Sequence, residues 1–212
     1  MQKIIPEIPK KSWLYYFIKR TFDIFFSIFL LLFLSPLFLI VSLIIIITSG
    51  FPIIYVSERI GKDGVPFKFF KFRTMVKNAD KMLDDVKKLN ETNGPTFKAK
   101  NDPRLTKFGR FLRKTSIDEL PQLVNILFGQ MTFVGPRPPI RSEVEQYSEF
   151  DELRLTARPG LTCIWQCSGR NEIGFEQWME MDVEYLQKRS IWFDFYLLLK
   201  TVVAVITQKG AY

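Results

Sequence analysis

The chain has 212 residues, a formal net charge of +8 and an isoelectric point near 9.4. That length accommodates one core plus a membrane element, and the charge favours an acidic partner: anionic headgroups, nucleic acid or a phosphorylated small molecule. With no histidine, a Ser-His-Asp triad, a His-ligated zinc site and an imidazole base are all excluded, so chemistry falls to carboxylates, lysine, tyrosine or cysteine. The two cysteines, Cys163 and Cys167, are too few for a disulfide scaffold or a four-ligand zinc site and read as buried thiols.

From Ile24 to Ile47 the chain runs 24 residues without a charge, interrupted in its apolar character only by Ser27, Ser35, Pro36 and Ser42. As a helix this would be about 36 Å long, enough to cross a hydrocarbon core of about 30 Å. It is too long for a cleavable signal, and no small-residue cleavage site precedes Thr48-Ser49-Gly50. Two features oppose a straight span. Pro36 deletes a central backbone hydrogen bond and disfavours helical geometry at Ser35, at about 3 kcal/mol in an ordinary helix, although the Ser35 hydroxyl can satisfy a freed carbonyl. Both flanks are also basic: Lys3, Lys10, Lys11, Lys19 and Arg20 precede the segment, and Arg59, Lys62, Lys68, Lys71, Arg73 and Lys77 follow it. Both therefore read as cytoplasmic. A re-entrant helix that turns at Ser35-Pro36 and leaves on the face it entered meets both constraints. A kinked single span is the competing reading.

Further on, Ile53 to Val56 and Phe67 to Phe72 are strand candidates on either side of Gly61-Lys62-Asp63-Gly64, which predicts a small β-hairpin. Asn78 to Leu89 reads as a charged helix, and Asn90 to Asp102, with Gly94-Pro95, as a loop. Between Arg104 and Lys114 the residues Leu105, Phe108, Phe111 and Leu112 share one helical face, with Lys107, Arg110, Arg113 and Lys114 elsewhere. That pattern suits a helix lying in a membrane interface, or a core helix with a solvated basic side. Ile191 to Ile206 is apolar but short and contains Asp194 and Lys200, which predicts a buried or surface-lying helix rather than a second span. No internal repeat is present.

The usual nucleotide signatures are missing: no Gly-x-Gly-x-x-Gly, no P-loop, no Asp-x-Asp pair. Asp118 and Glu119 stand just before an apolar helix carrying Leu120, Leu123, Val124 and Leu127. Read structurally, Ser116 caps that helix, the two carboxylates favour its dipole, and Pro121 is tolerated in its first turn. Five cations add a functional reading. Lys71 and Arg73 end the hairpin, Arg113 shortly precedes the dyad, and Arg137 and Arg158 lie in Gly135-Pro136-Arg137-Pro138 and Ala157-Arg158-Pro159-Gly160. Proline-stiffened loops suit forked recognition of phosphate oxygens, whereas any one arginine alone is explained as well by a surface ion pair worth under about 1 kcal/mol.

Ser35-Pro36, Lys71-Phe-Arg-Thr-Met75, Ser116-Ile-Asp-Glu-Leu-Pro-Gln122, Phe133-Val-Gly-Pro-Arg-Pro138, Arg158-Pro-Gly-Leu-Thr162 and Trp165-Gln-Cys-Ser-Gly-Arg170 occur in this order in bacterial sugar transferases. The chain resembles the small monotopic phosphoglycosyl transferases from Tyr16 to Thr207, with a local departure in the run from Trp165 to Arg170. The resemblance implies a mainly helical α+β fold. Residues 1–50 would hold the re-entrant membrane helix (24–47, broken at Ser35 and Pro36), and 51–212 a catalytic domain with interfacial helices on the cytoplasmic face of a bacterial inner membrane.

It further implies transfer of a sugar 1-phosphate from a nucleotide diphosphate sugar, usually a UDP-sugar, to polyprenyl (undecaprenyl) phosphate with release of UMP, the first membrane step of glycan assembly. By the same resemblance Asp118 is the nucleophile of a covalent phosphosugar intermediate, and Glu119 its partner at Mg2+ or at the lipid phosphate. Lys71, Arg73, Arg113, Arg137 and Arg158 would neutralise phosphates, with Arg170 and Asp194 in supporting or nucleotide-sugar-binding roles. Membrane lipids are expected partners, nucleic acid is not, and a homo-oligomer is allowed. A catalytically silent membrane adaptor is the alternative; it predicts that Asp118→Asn changes nothing.

Overall fold

The computed structural model describes residues 4–82, 86, 99, 101–169 and 173–207. Helix α1 (Trp13–Phe33) opens at Ser12, whose side chain accepts from the Tyr15 N–H. It therefore starts well before the uncharged run and carries Lys19, Arg20 and Asp23 within it. Helix α2 (Ser35–Ser49) follows at an angle of 59°. The chemistry of the break is local. Pro36 has no N–H to offer Leu32 O, and the Ser35 hydroxyl donates to that carbonyl instead, at 2.8 Å. Among the described residues no single helix is long and apolar enough to cross a membrane, whereas the bent pair together is. Its outer surface exposes Phe25, Phe29, Leu32, Leu39 and Leu43, while Val41 and Ile45 pack on Phe72 and Leu112.

Strands β1 (Ile54–Ile60) and β2 (Pro66–Phe72) form the hairpin, antiparallel, with Ile54 opposite Phe72 and Ile60 opposite Pro66. Asp63 and Gly64 turn it with φ of 56° and 77°. The first strand runs beyond the expected Val56 because Ser57, Glu58 and Arg59 pair with Phe69, Lys68 and Phe67; cross-strand bonding holds a stretch whose own pattern is polar. Of the helix expected over 78–89, Ala79–Met82 forms a 3-10 turn. Positions 83–85 and 87–89 lie outside the described residues, as does most of the expected loop.

Helix α3 (Lys107–Thr115) is capped by Thr106, whose hydroxyl accepts from Gly109 N–H at 2.8 Å. Its apolar stripe does not act as one membrane-facing surface. Leu105 and Leu112 are buried, Phe108 packs beside Val41 and Phe72, and only Phe111 is largely exposed. The core-facing reading holds for most of this face because α2 covers it. Helix α4 (Gln122–Leu127) leads to β3 (Thr132–Val134); the short helices α5 (Arg141–Val144) and α6 (Glu149–Glu152) precede β4 (Gly160–Thr162). Strands β3 and β4 pair in parallel, a second small sheet that the sequence did not announce.

Helices α7 (Ile164–Ser168), α8 (Phe175–Lys188) and α9 (Ile191–Thr207) complete the fold. The main core gathers Phe69, Leu123, Ile126, Phe133, Tyr185 and Leu197. Helix α9 is surface-lying, as its charges require: it buries Asp194 and Leu197 and exposes Trp192, Phe195, Leu199, Val203 and Ile206.

Candidate active site

The carboxylate dyad sits on a tight reversal. Ser116 closes α3 through its backbone N–H to Arg113 O and has a left-handed φ of 60°. The chain then makes a single 3-10 turn, Ile117–Glu119, before Pro121 starts α4. This corrects the expected cap: the Ser116 side chain makes no capping bond to the turn it precedes, because its backbone conformation serves the end of α3. Asp118 is buried, at 4% exposure.

Cations from three separate elements meet the dyad. Lys71, at the end of β2, donates from Nζ to Glu119 Oε1 at 2.7 Å and lies 3.6 Å from Asp118 Oδ2. Arg137 Nη1 donates to the same Glu119 oxygen at 3.1 Å. Arg113, in the last turn of α3, donates from Nε to Thr74 Oγ1 at 3.2 Å, and its charge acts on Asp118. Burial raises the Asp118 carboxyl above its ordinary pKa, with Lys71 opposing and Glu119 reinforcing the shift. Burial acts on Glu119 in the same sense, but Lys71 and Arg137 together hold it well below the usual carboxylate range. The two carboxylates thus sit side by side with opposed tendencies, and burial in turn lowers the pKa of Lys71.

Arg137 is placed by its backbone. The Gly135-Pro-Arg and Arg158-Pro-Gly160 stretches cross so closely that a Cβ on Gly160 would lie 2.1 Å from Gly135 N, and one on Gly135 2.5 Å from Arg158 O. Gly160 N–H donates to Pro136 O, and Gly135 N–H to Thr162 O. The two motifs are one structural unit, and glycine is the residue whose backbone can come that near. Beneath it, Arg154 Nη2 donates to Arg137 O at 2.8 Å and pairs with the fully buried Asp182 at 2.7 Å.

Asp118, Glu119, Lys71, Arg113 and Arg137 line a single cleft of about 820 Å³, the size of a small-molecule site. Its lining also includes Phe51 and Pro52, which follow α2, and the stacked rings of Trp165 and Trp178, 4.7 Å apart. Arg73 borders the cleft too, but its Nη2 donates to Ser49 O, at 2.7 Å, and to Gly50 O. Through Nη2 it binds the last carbonyls of α2, while its Nε and Nη1 have no hydrogen-bond partner among the described residues.

Arg158 is absent from the lining; its charge acts together with Arg20 and Asp23 of α1, and its motif serves the site through backbone atoms. Asp194 is likewise remote, bonded to Tyr15, Lys19 and Tyr185. Arg170 lies outside the described residues. The sequence reading missed Arg59, which lines the cleft, stacks over Phe69 at 5.3 Å and donates to Pro138 O at 3.3 Å; burial first, and Arg137 next, lower its pKa to about 10. Among the described residues no three His, Cys, Asp or Glu side chains gather as a metal site.

The dyad is thus a buried, cation-flanked carboxylate pair in a cleft whose lining reaches Phe51 and Pro52, just beyond the bent apolar helix pair. The chain belongs to the bacterial sugar transferase family, which it matches over residues 14–208. It is 43% identical over 198 residues to exopolysaccharide production protein ExoY of Sinorhizobium fredii, covering 92% of this chain and 88% of that one. It is also 42% identical to the undecaprenyl-phosphate galactose phosphotransferase of Salmonella typhimurium, and 38% identical to the UDP-glucose:undecaprenyl-phosphate glucose-1-phosphate transferase of Escherichia coli. Each of these matches covers 92% of this chain, but the chain spans only 42% and 41% of those two relatives.

Proposed function

We propose that this chain transfers a sugar 1-phosphate from a UDP-sugar to polyprenyl phosphate, through a covalent phosphosugar on Asp118. The observation that carries the reading is the placement of Asp118: buried, lining the cleft, and accepting no hydrogen bond among the described residues, while Glu119 holds Lys71 and Arg137. An Asp118 oxygen attacks the phosphorus that bears the sugar, and the bond from that phosphorus to the UMP oxygen breaks. An oxygen of the polyprenyl phosphate then attacks the same phosphorus, which releases the carboxylate and gives the polyprenyl diphosphate sugar. Arg113 and Arg137, on either side of the dyad's turn, stabilise charge on the transferred group. The names of the relatives, which specify undecaprenyl phosphate with galactose or glucose, support this substrate class.

The donor chemistry fits magnesium, which takes one or two carboxylates together with substrate phosphates. Asp118 and Glu119 would hold it, and it would supply neutralisation of the diphosphate charge.

In this reading the bent pair α1–α2 is re-entrant and the catalytic domain lies on the cytoplasmic face of the bacterial plasma membrane. Support comes from the two ends of the pair, which return to one folded body. Helix α1 is bonded to Ile126, Leu127 and Val134, and the end of α2 to Arg73. The test is UMP release from a panel of UDP-sugars with undecaprenyl phosphate. The parent is expected to release UMP with at least one sugar and Asp118→Asn with none; unchanged release in the variant refutes the mechanism.

A further inference from the structure

One turn of α1 is bonded to the frame of the cleft. Arg20 donates from Nη1 to Ile126 O at 2.6 Å and from Nη2 to Leu127 O at 2.7 Å, at the end of the helix that follows the dyad. Asp23 Oδ1 accepts from Thr132 Oγ1 at 3.0 Å and from Phe133 N–H at 3.1 Å. Lys19 Nζ donates to Val134 O at 2.8 Å and to Asp194 Oδ2 at 2.5 Å. Tyr185 OH lies 2.9 Å from Val134 O and 2.8 Å from Asp194 Oδ1, and Tyr15 OH donates to Asp194 Oδ2 at 3.2 Å. Residues 126–134 join the dyad's helix to the Gly-Pro-Arg loop, and Lys19, Arg20 and Asp23 of α1 each bond to that segment.

A helix that served only as an anchor would turn its lysine and arginine to the headgroups. Here Lys19 has a side-chain exposure of 15% and Asp194 one of 10%. We infer that Lys19, held by Asp194, is a positioning residue for Arg137: it fixes Val134 O, and with it the loop that brings the Arg137 guanidinium to Glu119. The membrane helix is then part of the catalytic frame as well as an anchor. This rests on the function proposed above.

The test is a double-mutant cycle on UMP release with undecaprenyl phosphate and the UDP-sugar the parent uses. The paired variant Lys19→Met/Asp194→Asn removes both charges, so no lone buried ion remains. It is expected to lower kcat/KM about ten-fold in the parent and less than about two-fold in an Arg137→Lys background, because sites that act through one another are not additive. Losses that agree within about three-fold in the two backgrounds overturn the inference, as does no loss in either. If the paired variant fails to reach the membrane fraction, Lys19→Arg, which keeps the pair but shifts the donor, enters the same cycle. Independently of activity, amide exchange across residues 134–138 is expected to quicken about ten-fold in whichever variant is used, and unchanged exchange there contradicts the positioning role. A parent that releases no UMP with any sugar would sink the proposed function instead, which is a separate outcome.

Discussion

Lys71 Nζ bonds to Glu119 Oε1 at 2.7 Å and stands 3.6 Å from Asp118 Oδ2. The cation nearest the dyad thus favours its second carboxylate and leaves the first, raised in pKa by burial, to face the cleft. Lys71→Met removes the strongest attraction keeping both groups ionised. In the proposed reaction kcat/KM is expected to fall by about 100-fold or more, and the acidic limb of the pH–rate profile to move upward, as measured by UMP release across pH. An unmoved acidic limb would show that Lys71 does not control the ionisation.

Asp118→Asn is expected to abolish turnover and to stabilise the fold near neutral pH. The sign follows from linkage: a carboxyl whose folded pKa is raised above its unfolded value begins to oppose folding as pH rises through the unfolded value, and opposes it fully above the folded one. Asparagine removes that opposition. Thermal melts should shift upward at pH 7, and the gain should vanish at strongly acidic pH.

Gly160→Ala sets a Cβ 2.1 Å from Gly135 N. Backbone cannot yield as a side-chain tip does, so a loss of about 2–3 kcal/mol is expected. Arg137 also moves with its loop. Melting and activity should fall together, whereas Gly64→Ala, where the added carbon meets nothing within 4 Å, should cost only the strain of its positive φ and leave turnover intact.

Both flanks of the bent pair are expected on one side of the membrane. With Cys163 and Cys167 replaced by alanine, cysteines introduced at Lys10 and at Lys62 should react with an impermeant reagent only from the cytoplasmic side. Labelling from opposite sides would establish a span and remove the re-entrant reading.

Much of this arrangement was legible in the sequence where a residue's own chemistry fixes the outcome. Pro36 lacks an N–H, so the break at Ser35-Pro36 could be located, and the hydroxyl that repairs Leu32 O could be named. The hairpin followed from two apolar runs around Gly61 and Gly64. The dyad, Lys71, Arg113 and Arg137 are brought into one cleft. What escaped depends on tertiary partners. Nothing in Arg158-Pro-Gly160 says that its backbone, packed on Gly135, is the part that serves the site. That Arg73 also binds Ser49 O and Gly50 O escaped the sequence because those carbonyls close a helix more than twenty residues earlier. Arg59 was hidden in a strand extended by its partner. Lys19 and Arg20 read as flank charges although they bond inward, and three-residue strands such as β3 and β4 are too short to show alternation.

The covalent step is the centre of the account, and one measurement tests it directly. Protein in membranes is mixed with the UDP-sugar it turns over, labelled at the phosphate bearing the sugar, without polyprenyl phosphate, then quenched and analysed by mass spectrometry of its peptides. One sugar phosphate is expected on the peptide containing Asp118, lost when polyprenyl phosphate is added and absent in Asp118→Asn. UMP release at full rate by the parent with no labelled peptide, or the same label in Asp118→Asn, would contradict it.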